Sequence, residues 1–283
     1  MPSRRSLLQT SALALGSALL PTAPARGGQF TGKIRKSLKW GMVTEAKKLS
    51  LLDCFQKLRE CGFEGVEPSL SHVPADREPE WIAASKATGL VIDGTVGARV
   101  DTLEPGLELT RRLGGDSMLV VLNYDLKAPL TAQWRAARER LQAAAPLAEK
   151  HGVKILVENV WATFLISAFD MARFIDEVGS PWVQVHLDIG NQMRWGVAEH
   201  WVEVVGTRAK KLDVKEYDLA KAMNEGLRKG FDVPLGEGSI QWPAVRAELA
   251  KIGFTGWAAA EVRGGDWAYL ADLARRMDQV LDL

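Results

Sequence analysis

KILVENVWATFLISAFDMARFIDEVGSPWVQVHLDIGN, residues 154–191, contains the pattern that decides the fold. Its two ends, residues 154–160 and 183–191, are short apolar runs rich in β-branched side chains, which predict buried strands. Between them, residues 168–178 carry apolar side chains at helical spacing and stop at Gly179, which predicts a helix. A strand, a helix and a second strand in this order form a unit whose two strands lie parallel.

The same alternation of strand and helix runs from about residue 37 to the end of the chain. The other predicted strands cover residues 37–43, 63–69, 91–98, 117–123, 209–217 and 256–262. Predicted helices follow the strands, near residues 51–61, 81–88, 104–113, 134–150, 168–178, 198–206, 242–253 and 267–283. Eight such units closing on themselves predict an α/β fold, a single (β/α)8 TIM barrel over residues 36–283.

A doubly wound open sheet is the alternative architecture for this alternation. No G-x-G-x-x-G phosphate loop opens the first helix, which disfavours it. The loop at residues 218–238, after the seventh strand, is the longest, and long loops at this end of a barrel usually cover the active site.

Composition excludes some classes of partner. The 283 residues contain 36 Lys and Arg against 35 Asp and Glu, a net charge of +1. Such a chain has no basic surface for nucleic acid or for an anionic membrane, so we expect a small-molecule ligand instead. A homodimer formed through the helices outside the barrel stays open.

Residues 1–28 differ from the rest of the chain. Arg4 and Arg5 precede an apolar segment at residues 7–20, and Ala23-Pro24-Ala25 is a suitable cleavage site. The pattern resembles a twin-arginine signal peptide followed by a linker, and it predicts export to the periplasm. A first amphipathic helix is the alternative, but the apolar segment has no polar face. The segment is also shorter than the roughly 20 residues of a membrane span, so we expect no stable span after signal removal.

The two cysteines, Cys54 and Cys61, fall seven residues apart on one predicted helix. At about 1.5 Å per residue they are roughly 10 Å apart, beyond the reach of a disulfide. We expect both to be ordinary core thiols.

Four acidic residues stand at the ends of the fifth to eighth predicted strands: Glu158, Asp188, Asp213 and Glu261. Active sites of (β/α)8 barrels lie at the carboxyl ends of the strands, so these side chains are expected to converge. Converging carboxylates repel one another unless a cation neutralises them, and an oxygen-rich site suits Mg²⁺ or Mn²⁺.

Internal ion pairs are the alternative explanation of the four carboxylates. Strand periodicity places Lys211, Asp213 and Lys215 on one face of the seventh strand, and Glu261 shares a face with Arg263. Each carboxylate taken alone is explained as well by such a pair as by a metal ion.

Several segments resemble the xylose-isomerase-like barrel superfamily, whose members are often called sugar phosphate isomerases or epimerases. These are VENVWATFLISAFDMARFIDEVGSP, VHLDIGN, LDVKEYD, PLGEGSIQW and AAAEV. The resemblance extends from about Lys36 onward and is strongest after Gly152. It implies one divalent metal ion, held by Glu, Asp, His and Glu from strands five to eight. We expect Mn²⁺ or Mg²⁺ in preference to Zn²⁺ or Co²⁺. Three of these ligands match here, and Asp213 stands where the family has histidine.

The resemblance also implies roles for individual residues. Glu158 and Glu261 become the pair that removes and returns a proton beside a carbonyl group. Substrate contacts are expected from Asn159, His186, Asn191, Lys215, Glu237 and Arg263. His186 lies two residues before Asp188 on the same side of its strand, where it either compensates for the absent histidine or is a hydrogen-bonded core residue. The two asparagines, Lys215 and Glu237 fit structural hydrogen-bond roles equally well.

The expected activity is a metal-dependent isomerase or epimerase. Because phosphorylated sugars are mainly cytosolic, export predicts a non-phosphorylated keto-sugar as substrate. One alternative is a lyase or hydratase that removes the same proton from a 3-keto-glycoside and then expels the aglycone by β-elimination. Another is a sugar-binding barrel without catalysis, which the aspartate at position 213 leaves open.

Overall fold

The computed structural model describes residues 27–98, 103–161 and 163–283. Almost all of the predicted signal peptide and linker, residues 1–28, lies outside the described residues, so export stays a prediction. Within the described part of the chain, no helix has the length and apolar character needed to cross a membrane.

The strands of the described residues form a closed parallel barrel. Seven of the nine strands make one sheet in the order β1-β9-β8-β7-β6-β5-β4, and β2 pairs with β3. Single parallel bridges, Lys39 to Glu67 and Ser69 to Val96, join the two sheets. The strands are β1 (Ile34–Leu38), β2 (Gly65–Val66), β3 (Val91–Ile92), β4 (Thr95–Ala98), β5 (Ser117–Val120), β6 (Lys154–Glu158), β7 (Val183–Asp188), β8 (Ala209–Val214) and β9 (Gly256–Ala260).

The predicted (β/α)8 barrel is therefore confirmed, with one local difference. The third predicted strand, residues 91–98, is split into β3 and β4. The helices of the described residues are α1 (Leu51–Cys61), α2 (Glu78–Thr88), α3 (Leu103–Leu113), α4 (Leu130–His151), α5 (Ala168–Val178), α6 (Ala198–Val205), α7 (Leu219–Glu225), α8 (Trp242–Lys251) and α9 (Trp267–Leu281).

Local sequence explains where α5 begins and ends. Ser167 caps its amino terminus and forms a reciprocal capping box with Asp170. Gly179 ends the helix with φ 71°, a left-handed conformation that glycine adopts without a steric cost. The helix lies on the outside of the barrel, so the chain can enter β7 parallel to β6.

The long loop after β8 is more structured than its sequence predicts. Residues 218–238 contain α7 and a 3-10 turn at Leu227–Phe231. Glu216 anchors this segment, because its buried carboxylate accepts hydrogen bonds from the backbone N–H groups of Tyr217, Gly236 and Ile240 and from Trp242 Nε1.

Alternation along the strands separates an apolar layer from a polar interior. Val183, Val185 and Leu187 of β7 join the apolar core between strands and helices, whereas His186 and Asp188 face the inside of the barrel. Cys54 and Cys61 on α1 are both free thiols; Cys54 lies in the core as predicted, whereas Cys61 is only partly buried.

Candidate active site

The structure brings the four predicted acidic residues together at the carboxyl ends of the strands. Glu158 and Asp188 are the last residues of β6 and β7, Asp213 lies in β8 opposite Asp188, and Glu261 follows β9 directly. One carboxylate oxygen from each lies within 4.8 Å of the others. We call these four residues the carboxylate cluster.

The cluster is mostly shielded from water. Asp188 and Asp213 are fully buried and Glu158 is 6% exposed, whereas the side chain of Glu261 is 38% exposed. The backbone N–H groups of Gly190 and Asn191 donate to Asp188 Oδ1 at 2.8 and 2.7 Å. Glu261 therefore lies at the mouth of the barrel, where a ligand entering from solvent would meet it first.

Lys215 reaches into the cluster from the end of β8. Its ammonium donates to Glu261 Oε2 at 2.5 Å and makes a charge contact with Asp188 Oδ2 at 2.6 Å. The ion-pair alternative raised by the sequence thus holds for these two carboxylates, but with a different partner for Glu261. Arg263 is exposed, and no ion pair joins it to Glu261 among the described residues.

A second lysine contacts Asp213 from the carboxyl end of β1. Lys39, directly after β1, places its ammonium 2.8 Å from Asp213 Oδ1, and His186 Nε2 lies 2.9 Å from the same oxygen. Asp213 Oδ2 has no hydrogen-bond partner among the described residues. Both of these contacts fall on Oδ1, and neither oxygen of Asp213 accepts a well-directed hydrogen bond from the described residues.

Lys39 belongs to a buried ionic network that adjoins the cluster at Asp213. Its ammonium also pairs with Glu67, whose other oxygen lies 2.6 Å from Lys211. Lys211 in turn lies 2.9 Å from Asp93, which accepts a hydrogen bond from Ser37. Both oxygens of Glu67 are thereby occupied by ammonium groups.

The environment shifts the pKa values of the cluster in opposite directions. Burial, reinforced by Glu261, Asp213 and Asp188, raises the pKa of Glu158 well above its ordinary value. Burial also raises the pKa of Asp188 to about 7, against the opposing effect of Lys215. Burial alone would raise the pKa of Asp213 too, but His186 and Lys39 outweigh it and lower that pKa well below its usual range.

The remaining predicted contact residues divide into two groups. Asn191 borders the cluster, since its Nδ2 donates to Glu158 Oε1 at 3.2 Å and its Oδ1 accepts from Lys215. Asn159 is buried and exchanges hydrogen bonds with the backbone of Asp188, so it supports the β7 end. Glu237 is exposed and pairs with Arg276 on α9. The structure thus gathers Asn191, Asn159, His186 and Lys215 around the cluster, and it leaves Glu237 and Arg263 on the surface.

Aromatic side chains flank the cluster on one side, a feature that the sequence did not predict. The Phe231 ring lies 5.5 Å from the Lys215 ammonium and 5.2 Å from the Trp161 ring. Phe231 also lines an open cavity of about 340 Å³ together with Val262 and Arg263, which follow Glu261 in the chain. Apolar ring faces beside polar groups are suited to the C–H face of a sugar.

The cluster fits a divalent metal ion. It offers only oxygen donors, Asp213 Oδ2 is buried without a hydrogen bond from the described residues, and Asp188 Oδ2 contacts the Lys215 ammonium, which a bound ion would displace. This donor set is the kind that Mg²⁺ and Mn²⁺ prefer. A second group, Glu67, His186 and Asp213, is equally compact but does not fit, because both Glu67 oxygens already contact lysines.

Comparisons with known proteins agree with this architecture. The family model described as xylose isomerase-like TIM barrel matches residues 55–280. Sequence comparison with curated proteins gives no match.

Solved structures with the same fold include three informative enzymes. D-Psicose 3-epimerase crystallised in the presence of D-fructose superposes with a TM-score of 0.71 and 15% identity, covering 88% of this chain and 100% of that one. The apo 3-keto-D-glucoside 4-epimerase from E. coli superposes with a TM-score of 0.70 and 16% identity, covering 88% of this chain and 98% of that one. The probable 3-DHS dehydratase from Bacillus anthracis superposes with a TM-score of 0.71 and 17% identity, covering 85% of this chain and 97% of that one. At these identities the likeness shows a shared fold.

Proposed function

Because the chain belongs to the xylose isomerase-like TIM barrel family, we propose that it is a divalent-metal-dependent isomerase or epimerase of non-phosphorylated keto-sugars. The observation that carries the proposal is the carboxylate cluster, in which four acidic side chains from successive strands meet at the barrel mouth. Glu158, Asp188, Asp213 and Glu261 would hold the ion, Mn²⁺ or Mg²⁺. When bound, it would supply positive charge that stabilises the negative charge developing on the substrate oxygens.

Glu261 and Glu158 would transfer the proton. Glu261 lies at the mouth and would take the proton from the carbon next to the carbonyl group. The electrons of the broken C–H bond then form a C=C bond, and the carbonyl oxygen becomes an enediolate oxygen. Glu158, whose carboxylate shares the same space from the end of β6, would give a solvent-derived proton back to carbon. The reaction balances without a redox partner.

Neighbouring side chains would orient the sugar. The ammonium group of Lys215 lies at the mouth and donates to Glu261. When a substrate displaces it from Glu261, it would donate a hydrogen bond to the substrate oxygen that gains negative charge. Asn191 has an amide beside Glu158 that can bind a hydroxyl group. Phe231 and Trp161 would contact the apolar face of the ring.

An elimination reaction is the second candidate. It begins with the same proton removal, after which a group on the adjacent carbon leaves in place of proton return. The probable dehydratase among the solved structures of this fold supports it.

The test is incubation of the protein with Mn²⁺ in D₂O with free ketohexoses and with 3-keto-glucosides, followed by NMR. Deuterium beside the carbonyl group of recovered sugar or its epimer supports the isomerase, and an unsaturated product with release of aglycone supports elimination. Glu158→Gln and Glu261→Gln should each abolish incorporation, whereas Glu237→Gln, a surface control, should not. Calorimetric sugar binding without deuterium incorporation in any substrate would show a binding protein instead.

Export is part of the same proposal, since a periplasmic enzyme would meet free sugars and glycosides. It is supported by the Arg4-Arg5 pattern alone. Replacing both arginines with lysine should keep the precursor in the cytoplasmic fraction, and unchanged secretion would contradict the twin-arginine route.

A further inference from the structure

The open cavity of about 340 Å³ at the barrel mouth adjoins the carboxylate cluster. Phe231 is a wall that the two share, because its ring lies 5.5 Å from the Lys215 ammonium and also lines the cavity. Val262 and Arg263, which line the cavity as well, follow Glu261 directly in the chain. A substituent on a sugar held at the cluster therefore has this cavity as its neighbouring space.

The lining of the cavity is mostly apolar and contains no Asn, Gln, Ser or Thr. Most of its polar side chains are already engaged, since Arg276 pairs with Asp272 and Glu237, and Asp232 pairs with Lys229. A second sugar ring would need hydrogen-bond partners for its hydroxyl groups, and this lining offers few. The cavity suits an apolar group better than a second sugar.

Two aromatic side chains and one arginine indicate which apolar group fits. The rings of Phe231 and Tyr269 line the cavity, and aromatic side chains pack favourably against another aromatic ring. Arg263 has no hydrogen bond or ion pair among the described residues, so its planar guanidinium is available to stack on such a ring. The space is sufficient, because a cavity of about 150 Å³ already holds benzene.

The walls of the cavity are held to each other by the protein itself. Arg276 on α9 donates to the Leu235 carbonyl at 3.1 Å and to Glu237 Oε1 at 2.7 Å, which ties this helix to the loop after β8. Glu216 anchors the same loop by accepting from the Gly236 N–H group. Because the walls are already ordered, a ligand that enters loses little affinity to ordering them.

We infer that this cavity is an aglycone subsite, and that the substrate is a keto-glycoside whose aglycone is an aromatic ring. The inference rests on the proposed function, because it assigns the substrate class of the same site. Phe231 and Tyr269 contact the ring of the aglycone, while the sugar lies at the cluster beside Glu261. The ring is retained in an epimerisation and released in an elimination, so the subsite serves either candidate reaction.

The experiment is calorimetric titration of the Mn²⁺-loaded protein with phenyl and methyl glucosides, each as both anomers. These sugars have no carbonyl group and are not turned over. We expect one phenyl glucoside to bind at least about tenfold more tightly than its methyl counterpart, because its ring buries apolar surface in the cavity. Tyr269→Ala should remove most of this preference without changing the affinity for the methyl glucoside, whereas Tyr269→Phe, which keeps the ring, should retain it.

Val262→Phe is a second variant, which places a protein ring in the same cavity. It should remove the preference as Tyr269→Ala does, and it decides the question if Tyr269→Ala does not fold. Thermal unfolding shows whether each variant is folded.

Tyr124→Ala is the matched control. Tyr124 is 37% exposed, close to the 39% of Tyr269, and it lines a different cavity, of about 400 Å³, after β5. Its replacement should leave the preference for the phenyl glucoside intact. Loss of the preference in Tyr124→Ala but not in Tyr269→Ala would place the aromatic ring in the other cavity and overturn the inference.

Equal affinity of the wild type for phenyl and methyl glucosides, or binding of neither, also overturns the inference, as does a preference that survives Tyr269→Ala. Equal weakening of both glucosides by Tyr269→Ala would mean that Tyr269 supports the whole mouth, and it overturns the subsite too. Deuterium incorporation into methyl 3-keto-glucoside or free ketohexoses decides the proposed function separately. Incorporation without a phenyl preference leaves that function standing, and a phenyl preference without incorporation into any keto-sugar contradicts it.

Discussion

The ammonium nitrogen of Lys215 lies 2.6 Å from Asp188 Oδ2, within the space where the four carboxylates converge. A divalent ion bound by the same oxygen would meet this positive charge at very short range. Asp188 is fully buried, whereas Lys215 extends from the barrel mouth and keeps 11% of its side chain exposed. Metal binding therefore requires the lysine, rather than the aspartate, to move.

Lys215→Met should tighten Mn²⁺ binding by at least about tenfold, because it removes a competing charge from the cluster. It should also lower deuterium incorporation, since Lys215 is proposed to bind the developing oxygen charge. Titration calorimetry and NMR measure the two effects. Lys210→Met, on the same strand but exposed, is the control and should change neither. Unchanged Mn²⁺ affinity of Lys215→Met would show that the ammonium and the ion do not compete.

Gly190→Ala should displace Lys215 without removing its charge. A Cβ atom at Gly190 would lie 2.3 Å from Lys215 Cγ, far inside contact distance, and the backbone of the glycine has no positive φ to add strain. We expect Mn²⁺ binding to tighten as in Lys215→Met, with a smaller effect because the ammonium stays nearby. Weaker binding in Gly190→Ala would instead indicate that the turn holding Asp188 Oδ1 had moved.

The four carboxylates were predictable because each ends an apolar strand, where a charged side chain needs a special reason. Glu67 and Asp93 stand at the ends of strands two and three in the same way, yet they were missed. β2 and β3 are only two residues long, so the apolar run that marks such a position is short. A polar residue at a strand end is recognised from sequence only when the strand before it is long enough to be predicted.

The lysines show a different limit of sequence reasoning. Strand periodicity placed Lys211 and Lys215 on one face with Asp213, and the structure agrees. A lysine ammonium is four carbons from its backbone, however, so the position in sequence does not fix which carboxylate it reaches. Lys211 pairs with Glu67 and Lys215 pairs with Glu261. The lysine that contacts Asp213 most closely from another strand is Lys39, which follows β1.

Mn²⁺ binding should release protons and tighten between about pH 6 and about pH 8. The pKa of Asp188 is about 7 in the metal-free protein, so below this pH it holds a proton that the ion must displace. Burial raises the pKa of Glu158 in the same direction. Calorimetry in buffers of different ionisation enthalpy counts the protons. An affinity independent of pH in this window would contradict the raised pKa values.

The same shift sets a pH dependence of unfolding in EDTA. The pKa of Asp188 is higher in the folded than in the unfolded chain, so its contribution to stability is complete below about pH 4. It is lost as the pH rises through about 7. Asp188→Asn should therefore flatten the fall of unfolding temperature over this range, measured by calorimetry at matched ionic strength, and an unchanged slope would contradict the shift.

Glu216→Gln should loosen the loop after β8 more than its conservative chemistry suggests. Each carboxylate oxygen of Glu216 accepts two hydrogen bonds, so an amide NH₂ in place of either oxygen would face two donors. The residue is 1% exposed, and water cannot compensate. We expect a loss of at least about 2 kcal/mol in the free energy of unfolding. We also expect faster amide hydrogen exchange at either Gly236 or Ile240, because the one that donates to the replaced oxygen loses its acceptor.

Glu225→Gln, exposed on α7 in the same segment, is the control and should leave both measurements unchanged. Phe231 belongs to this segment and lies beside Lys215, so loosening it should also weaken sugar binding while Mn²⁺ affinity stays the same. Equal loss of sugar and metal binding would mean that Glu216 supports the whole barrel end rather than the aromatic side of the site.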